Sequence, residues 1–393
     1  MGKLQFIEVD SKVEDIIFDC GIESINNYIR KEIKNIRNDY NDSGYNLEEN
    51  GDNFTRKQLP NSLIVERENE EKLKISNEYC DMIVSGILGF IIGDAMGVPL
   101  EFTDRNKKNP VRDMEGYGSH RVPEGTWSDD TSMTIATIDS IIKEQTINYQ
   151  DIMNNFVSWA IDSKYTATDK LFDIGLTTNK ALRKYRKYNI DPIKCGSGEI
   201  YENGNGSLMR ILPIVYYLNK LNLSDDQKTQ IINDSSSLTH SHEISKMGCK
   251  IYFDYIEGLI NNQFDKFKAY NYIKTIDYSK YYSFETIEKY TRILEDDISK
   301  FKSDSIKSSG YVVSTLESSL WTVLTTNSYE DAIIKAINLG DDTDTIGAIT
   351  GSLAGMIYRY KSFPKRWTEK LKKRDYLIDL AIKFAKTLES IDK

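Results

Sequence analysis

Two acidic clusters carry residue types and spacings suited to metal chemistry. Gly125-Thr126-Trp127-Ser128-Asp129-Asp130-Thr131 feeds an apolar stretch over 133–142, and Gly340-Asp341-Asp342-Thr343-Asp344-Thr345 feeds a small-residue stretch over 346–354. Carboxylates at a helix entry can simply cap backbone N–H groups and favour the helix dipole, which accounts for either cluster taken alone. Two clusters that both mix carboxylates with hydroxyls and border apolar segments ask for more. Carboxylates brought together repel one another and lose hydration unless a cation neutralises them. Oxygen-only donors, with no His or Cys among them, point to a hard ion such as Mg²⁺, Mn²⁺ or Ca²⁺. Asp342 and Asp344 alternate in a way that lets both face one site in a non-helical turn, and Asp129 and Asp130 would reach it from far along the chain. That pairing is a tertiary expectation which spacing alone does not establish.

Two further signals are weaker. Gly204-Asn205-Gly206-Ser207-Leu208-Met209-Arg210 enters an apolar segment, and glycines before a helix N-terminus allow an anion to approach backbone N–H groups. It has neither the Walker lysine nor dinucleotide GxGxxG spacing, and most such turns are only turns. Gly93-Asp94-Ala95-Met96-Gly97-Val98-Pro99-Leu100-Glu101 reads as a loop leaving an apolar helix, with Glu101 on the surface by default.

The elements that must position these residues read as helices. Apolar residues recur at i, i+3, i+4 over 79–95, 133–143, 149–161, 171–188, 208–221, 244–260, 312–324, 329–337 and 345–358, with Asp151 and Ser328 as plausible caps. No train of β-rich segments with hairpin turns is present, so an all-α domain is expected. The 270–307 stretch is helical, polar and Tyr-rich, with no readable role. Residues 1–76 form a separate extension: a helix over 22–36, then a polar stretch rich in Asn, Asp, Glu and Lys, interrupted by Gly44, Gly51 and Pro60. A compact domain is expected over 77–393.

Composition excludes several classes. With 39% hydrophobic and 28% charged residues, the 393-residue chain reads as globular rather than disordered. Its net charge of −9 lacks the footprint of a non-specific nucleic-acid binder. Cys20, Cys80, Cys195 and Cys249 are far apart, fitting neither a zinc site nor a disulfide framework, so a reducing cytoplasm is expected. No uncharged apolar run reaches the roughly 18 residues that span a bilayer, and the N-terminus has no secretory h-region.

In order along the chain, GFIIGDAMGVPLEF, GTWSDDTSM, FDIGLTT, GNGSLMRILPI, LTHSH, SGYVVSTLESSLW, NLGDDTDTIGAITGSLAG and FPKRW resemble the ADP-ribosylglycohydrolase family, which includes the dinitrogenase-reductase-activating glycohydrolases. The resemblance implies a compact all-α fold with two Mg²⁺ ions, or Mn²⁺ in their place, on the floor of an ADP-ribose cleft. By motif, Ser128, Asp129 and Asp130 match the first metal triplet, and Asp342, Asp344 and Thr345 the second; Asp341 stands where some relatives have Gly and is not assigned as a ligand. Glu101 matches a loop glutamate with a catalytic or gating role, and Asp173 a carboxylate beside the scissile bond. Gly206, Ser207 and His240 resemble diphosphate contacts, and Tyr311 an adenine-stacking aromatic; outside their motifs, His240 and Tyr311 would be ordinary structural residues. The implied activity is hydrolysis of an ADP-ribosylated protein, with arginine as the leading acceptor. Serine, O-acetyl-ADP-ribose or nucleic-acid linkages remain open. A different class also remains open, in which the extension binds and neutralises a cognate ADP-ribosyltransferase.

Overall fold

The computed structural model describes residues 77–106 and 109–391; the helix expected over 22–36 and the rest of the 1–76 extension lie outside them. Among the described residues there is no strand, only the single bridges Ser197–His240 and Gly204–Tyr311. In chain order the helices are α1 (Glu78–Gly97), α2 (Asp129–Glu144), α3 (Tyr149–Asp162), α4 (Leu176–Tyr188), α5 (Leu212–Lys220), α6 (Asp225–Ser237), α7 (Glu243–Asn261) and α8 (Lys266–Ile273). They continue with α9 (Phe284–Glu288), α10 (Thr291–Leu294), α11 (Val312–Leu324), α12 (Tyr329–Ile337), α13 (Thr343–Tyr358), α14 (Lys365–Thr368) and α15 (Arg374–Ser390). The all-α expectation holds.

The core is built on one helix pair. In α1 every residue from Met82 to Gly97 is buried, and in α13 every residue from Thr343 to Met356. The two meet backbone to backbone: a Cβ added at Gly89 would lie 2.3 Å from the Gly351 carbonyl oxygen, at Gly93 2.0 Å from that of Gly347, and at Gly97 2.3 Å from that of Thr343. Contacts that rise along one helix while falling along the other define an antiparallel pair. Only glycine lets helices approach this closely, and the approach sets the C-terminal end of α1 against the N-terminal end of α13. Helices α12 and α15 pack on this pair, α11 lies between α13 and α7, and α2 packs on α3 and α15. In length and composition 78–100 would suffice to cross a bilayer, yet here it is enclosed by protein.

Local signals explain most of the boundaries. Asn77, Ser128, Asn148, Ser224, Asp265 and Ser328 each accept a backbone N–H in the first turn of the helix that follows. The cap of α3 is therefore Asn148, which receives the Asp151 N–H, rather than Asp151 itself. Three expected elements differ. The 93–101 segment is not a loop: α1 runs on to Gly97 and a 3₁₀ turn covers Val98–Leu100. The helix expected over 171–188 starts only at Leu176, after Gly175 with extended backbone, so Asp173 sits on a loop. The 208–221 segment divides into a 3₁₀ turn, Leu208–Arg210, and α5, because Pro213 favours a fresh first turn. The 270–307 stretch breaks into short pieces, with Asp277 and Asp297 capping 3₁₀ turns.

Candidate functional site

Asp94, one of few charges on α1, organises the floor of the site. It is fully buried and accepts the Ser128 N–H at 3.0 Å, the Thr131 N–H at 3.0 Å and the Thr131 hydroxyl at 2.5 Å. The two backbone donors are orphan groups of the α2 N-terminus, where a carboxylate also meets the positive end of the helix dipole. The same helix end is held from outside, since Lys372 N–H donates to the Gly125 carbonyl at 3.0 Å and Gly125 has φ +74°. Asp129 and Asp130 are thereby fixed at the first turn of α2.

The glycine-mediated pairing brings the second acidic cluster to the same place. The Thr345 hydroxyl lies 3.4 Å from Asp130 Oδ1, joining residues 215 apart in sequence. One carboxylate oxygen each of Glu101, Asp342 and Asp344 lie within 4.8 Å of one another. Asp342 accepts from Asn205 Nδ2 at 2.8 Å, and the same amide reaches the Thr315 hydroxyl at 2.9 Å. Asp341 points away: it is exposed at φ +57°, a backbone region that glycine favours, and it contributes its carbonyl to the Phe102 N–H at 2.6 Å.

Burial and mutual repulsion dominate the electrostatics. Desolvation is the first cause, and neighbouring carboxylates the next opposing ionisation, that push Glu101, Asp129, Asp130 and Asp344 up; Glu101 reaches about 11. Burial also raises Asp173, partly offset by His120, and raises Asp94 to about 6, partly offset by its hydrogen bonds. Asp130 Oδ2 is buried without a hydrogen-bond partner. An oxygen cluster that repels itself and leaves a buried acceptor unmet is what a hard divalent cation satisfies, so the donor set fits the metal that the motifs imply.

Each expected site residue has a definite place. Glu101 is buried, not surface-exposed, and its carboxylate pairs with His120 Nε2. Asp173 lies within 4.8 Å of both. Ser128 caps α2 through its hydroxyl, 3.2 Å from the Asp130 nitrogen. Ser207 is fully buried, backbone included, and its hydroxyl bonds Ser236 at 2.9 Å, so it presents no open surface to a ligand. Gly206 packs on His240, since a Cβ there would lie 2.7 Å from the imidazole. His240 contacts the Thr239 hydroxyl at 3.0 Å, and burial lowers its pKa to about 3. Tyr311 is 37% exposed beside Gly204, at the start of α11. A separate cavity of about 470 Å³ is lined by Gly198, Ser241, His242, Glu243, Glu285 and Lys289, and none of the clustered carboxylates of the site lines it.

Three residues escaped the sequence reading. Asp94 had a legible signal, a carboxylate inside an otherwise apolar helix. Asn205 sat in a motif already singled out, with nothing to mark its side chain. His120 carries no sequence signal at all; only the fold brings it to Glu101.

The family model described as ADP-ribosylglycohydrolase matches residues 76–392. The chain is 33% identical to an ADP-ribosylarginine hydrolase, Tri1, of Serratia proteamaculans over 78% of this chain and 79% of that protein. It is 32% identical to the Pseudomonas putida protein of the same name, over 77% of each chain. A solved structure titled ADP-ribosylglycohydrolase-related protein complex superposes with a TM-score of 0.62 at 24% identity, covering 79% of this chain and 99% of that one, a likeness of fold.

Proposed function

Since the chain belongs to the ADP-ribosylglycohydrolase family and is a glycosidic-bond hydrolase, we propose that it releases ADP-ribose from arginine side chains of modified proteins, using two Mg²⁺ ions. The observation that carries this reading is the convergence of Glu101, Asp342 and Asp344 within 4.8 Å, with Thr345 linking them to Asp130. The acceptor comes from the relatives named ADP-ribosylarginine hydrolase.

Asp342, Asp344 and Thr345, together with Ser128, Asp129 and Asp130, would hold the ions, and Mn²⁺ suits the same oxygen donors. Bound there, the ions supply charge neutralisation, a grip on ribose hydroxyls and polarisation of water. The chain's own residues do the rest. Cleavage at the anomeric carbon passes through an oxocarbenium-like transition state, which nearby carboxylates stabilise. The leaving guanidine needs a proton, and burial raises both Glu101 and Asp173, suiting either to carry it. Asp94 and Asn205 hold the acidic clusters in register, while the backbone of Gly206 and the Tyr311 ring would offer a diphosphate and an adenine platform.

The test is release of free ADP-ribose from an arginine-ADP-ribosylated protein with Mg²⁺, after chelation, and with Asp342→Ala plus Asp344→Ala. Release that requires both metal and aspartates is expected. A folded protein that releases nothing in any condition rejects the arginine reading and sends the search to serine and O-acetyl linkages.

A second reading concerns the extension, because the family match begins only at residue 76. In it, residues 1–76 form a separate unit that docks on a cognate ADP-ribosyltransferase. We also read the protein as a cytoplasmic enzyme without membrane or nucleic-acid partners, which its buried thiols Cys195 and Cys249 and its acidic charge support.

A further inference from the structure

We propose that His120 is the positioning residue for Glu101, holding that carboxylate inside the cleft; the inference rests on the reading of this cleft as the hydrolytic site. His120 Nε2 pairs with Glu101 Oε2. Without that partner Glu101 faces mainly other carboxylates, Asp173, Asp342 and Asp344 among them. Repulsion and desolvation would both favour a rotamer turned toward solvent.

The surroundings of His120 restrict it to this contact. Its ring contacts two aromatic rings, Phe102 at 5.8 Å and Phe172 at 5.2 Å between centroids. Phe102 is 73% exposed and adopts φ +60°, a costly backbone for a bulky residue. That conformation buries little of its ring in the core; it does set the ring against the imidazole, and the Phe102 N–H is fastened to the Asp341 carbonyl. Phe172 is the chain neighbour of Asp173 and Phe102 that of Glu101, so the two ring contacts tie His120 to the segments of both candidate proton carriers.

The loop that delivers His120 is fastened to the Glu101 segment itself. Tyr117 N–H donates to the Val122 carbonyl at 2.7 Å and Arg121 N–H to that of Gly118 at 3.2 Å. Tyr117 and Arg121 both take left-handed backbone, at φ +62° and +55°. Ser119 N–H donates to the Pro99 carbonyl at 3.2 Å, and its hydroxyl donates to the Glu101 carbonyl. A Cβ added at Gly118 would lie 1.8 Å from the Pro99 carbonyl oxygen, so the loop rests on the turn that precedes Glu101. Backbone and side chain of Glu101 are thus gripped by one loop, through Ser119 and His120 respectively.

The test compares wild type with His120→Ala, His120→Gln, Glu101→Gln and the double variant His120→Ala/Glu101→Gln. Loss of a positioning partner of this kind lowers kcat about 10–100-fold. We expect that loss in His120→Ala with KM moved less than about threefold, and partial recovery in His120→Gln, whose amide can still donate. The double variant should be no slower than Glu101→Gln, because residues that act as one unit are not additive. A loss confined to KM, or losses that multiply in the double variant, would overturn the proposal. An activity-independent measurement separates it from the functional reading. The full chain has three histidines, and Glu101→Gln should move the ¹⁵N imidazole resonances of His120 while leaving His240 and His242 in place. Unmoved His120 resonances refute the pairing even if the enzyme is active; moved resonances in a protein that releases no ADP-ribose uphold the pairing and reject the reaction.

Discussion

Stripping the divalent cation should make this protein more stable at mildly acidic than at neutral pH, and returning Mg²⁺ should remove that slope. The reasoning starts from the buried carboxylates Asp94, Glu101, Asp129, Asp130, Asp173 and Asp344, all raised chiefly by desolvation. A carboxyl whose folded pKa exceeds its unfolded value binds its proton more tightly when folded. Its contribution to stability is present below the unfolded pKa and is lost as pH rises through the folded one. Asp94 moves from 3.8 to about 6, so its window opens near pH 4 and closes just above pH 6. Between about pH 5.5 and about pH 7.5 this group alone changes stability by roughly 1 kcal/mol. With a urea m-value of about 3 kcal/mol/M, the midpoint should fall by about 0.3 M over that interval, and by more once the other carboxylates contribute. The general repulsion of an acidic chain acts in the same direction, so the decisive quantity is the difference between metal-stripped and Mg²⁺-loaded protein. Urea melts at both pH values, with and without Mg²⁺, measure it. Equal slopes in the two metal states, or a stripped protein that is less stable at the lower pH, would refute the account of the site as a cation-balanced carboxylate cluster.

Three further outcomes follow from particular contacts. Gly93→Ala places a methyl group 2.0 Å from the Gly347 carbonyl oxygen, so it should cost about 1–3 kcal/mol by overpacking and lower activity as the α1–α13 pair separates; an unchanged urea midpoint would contradict the close-pair description. Asp94→Asn turns an amide N–H₂ toward the donors of Ser128 and Thr131 and should cost about 2–4 kcal/mol. The same change should weaken Mg²⁺ binding about 10–100-fold, measured by calorimetric titration, and unaltered affinity would remove Asp94 from the metal support. Deleting residues 1–76 should leave hydrolysis intact while abolishing binding to a cognate transferase in a pull-down; binding that survives the deletion retires the docking reading of the extension.

Much of the site was legible because its chemistry is written in contiguous stretches. Ser128, Asp129 and Asp130 form one run and Asp342, Asp344 and Thr345 another, and the surplus of oxygen donors without His or Cys already narrows the ion. Elements with clean periodicity were also read well, α11 without a side-chain cap and α12 behind the Ser328 cap, both to the residue. Boundaries failed where a local breaker competed with periodicity: Gly175 delays α4, Pro213 splits the 208–221 segment, and α1 continues through Asp94 and Gly97 although both argue for a loop. In the last case tertiary contact decides, since Gly97 is buried against α13 and Asp94 is matched by three donors of α2.

The sequence by itself determined the secondary-structure class and marked out the two acidic clusters as candidate donors for a hard ion, because these depend on residue types and on spacings of a few positions. The tertiary structure decided which groups meet. Asp130 finds Thr345 because glycines let α1 and α13 touch along their backbones, and no local pattern encodes a contact between residues so distant in the chain. His120 reaches Glu101 because a strained loop is fastened to the turn before it. Glu101 itself, an ordinary surface glutamate by its local sequence, becomes a buried carboxylate among carboxylates only when the chain ends of two helices are brought together, and burial is a property of the whole fold.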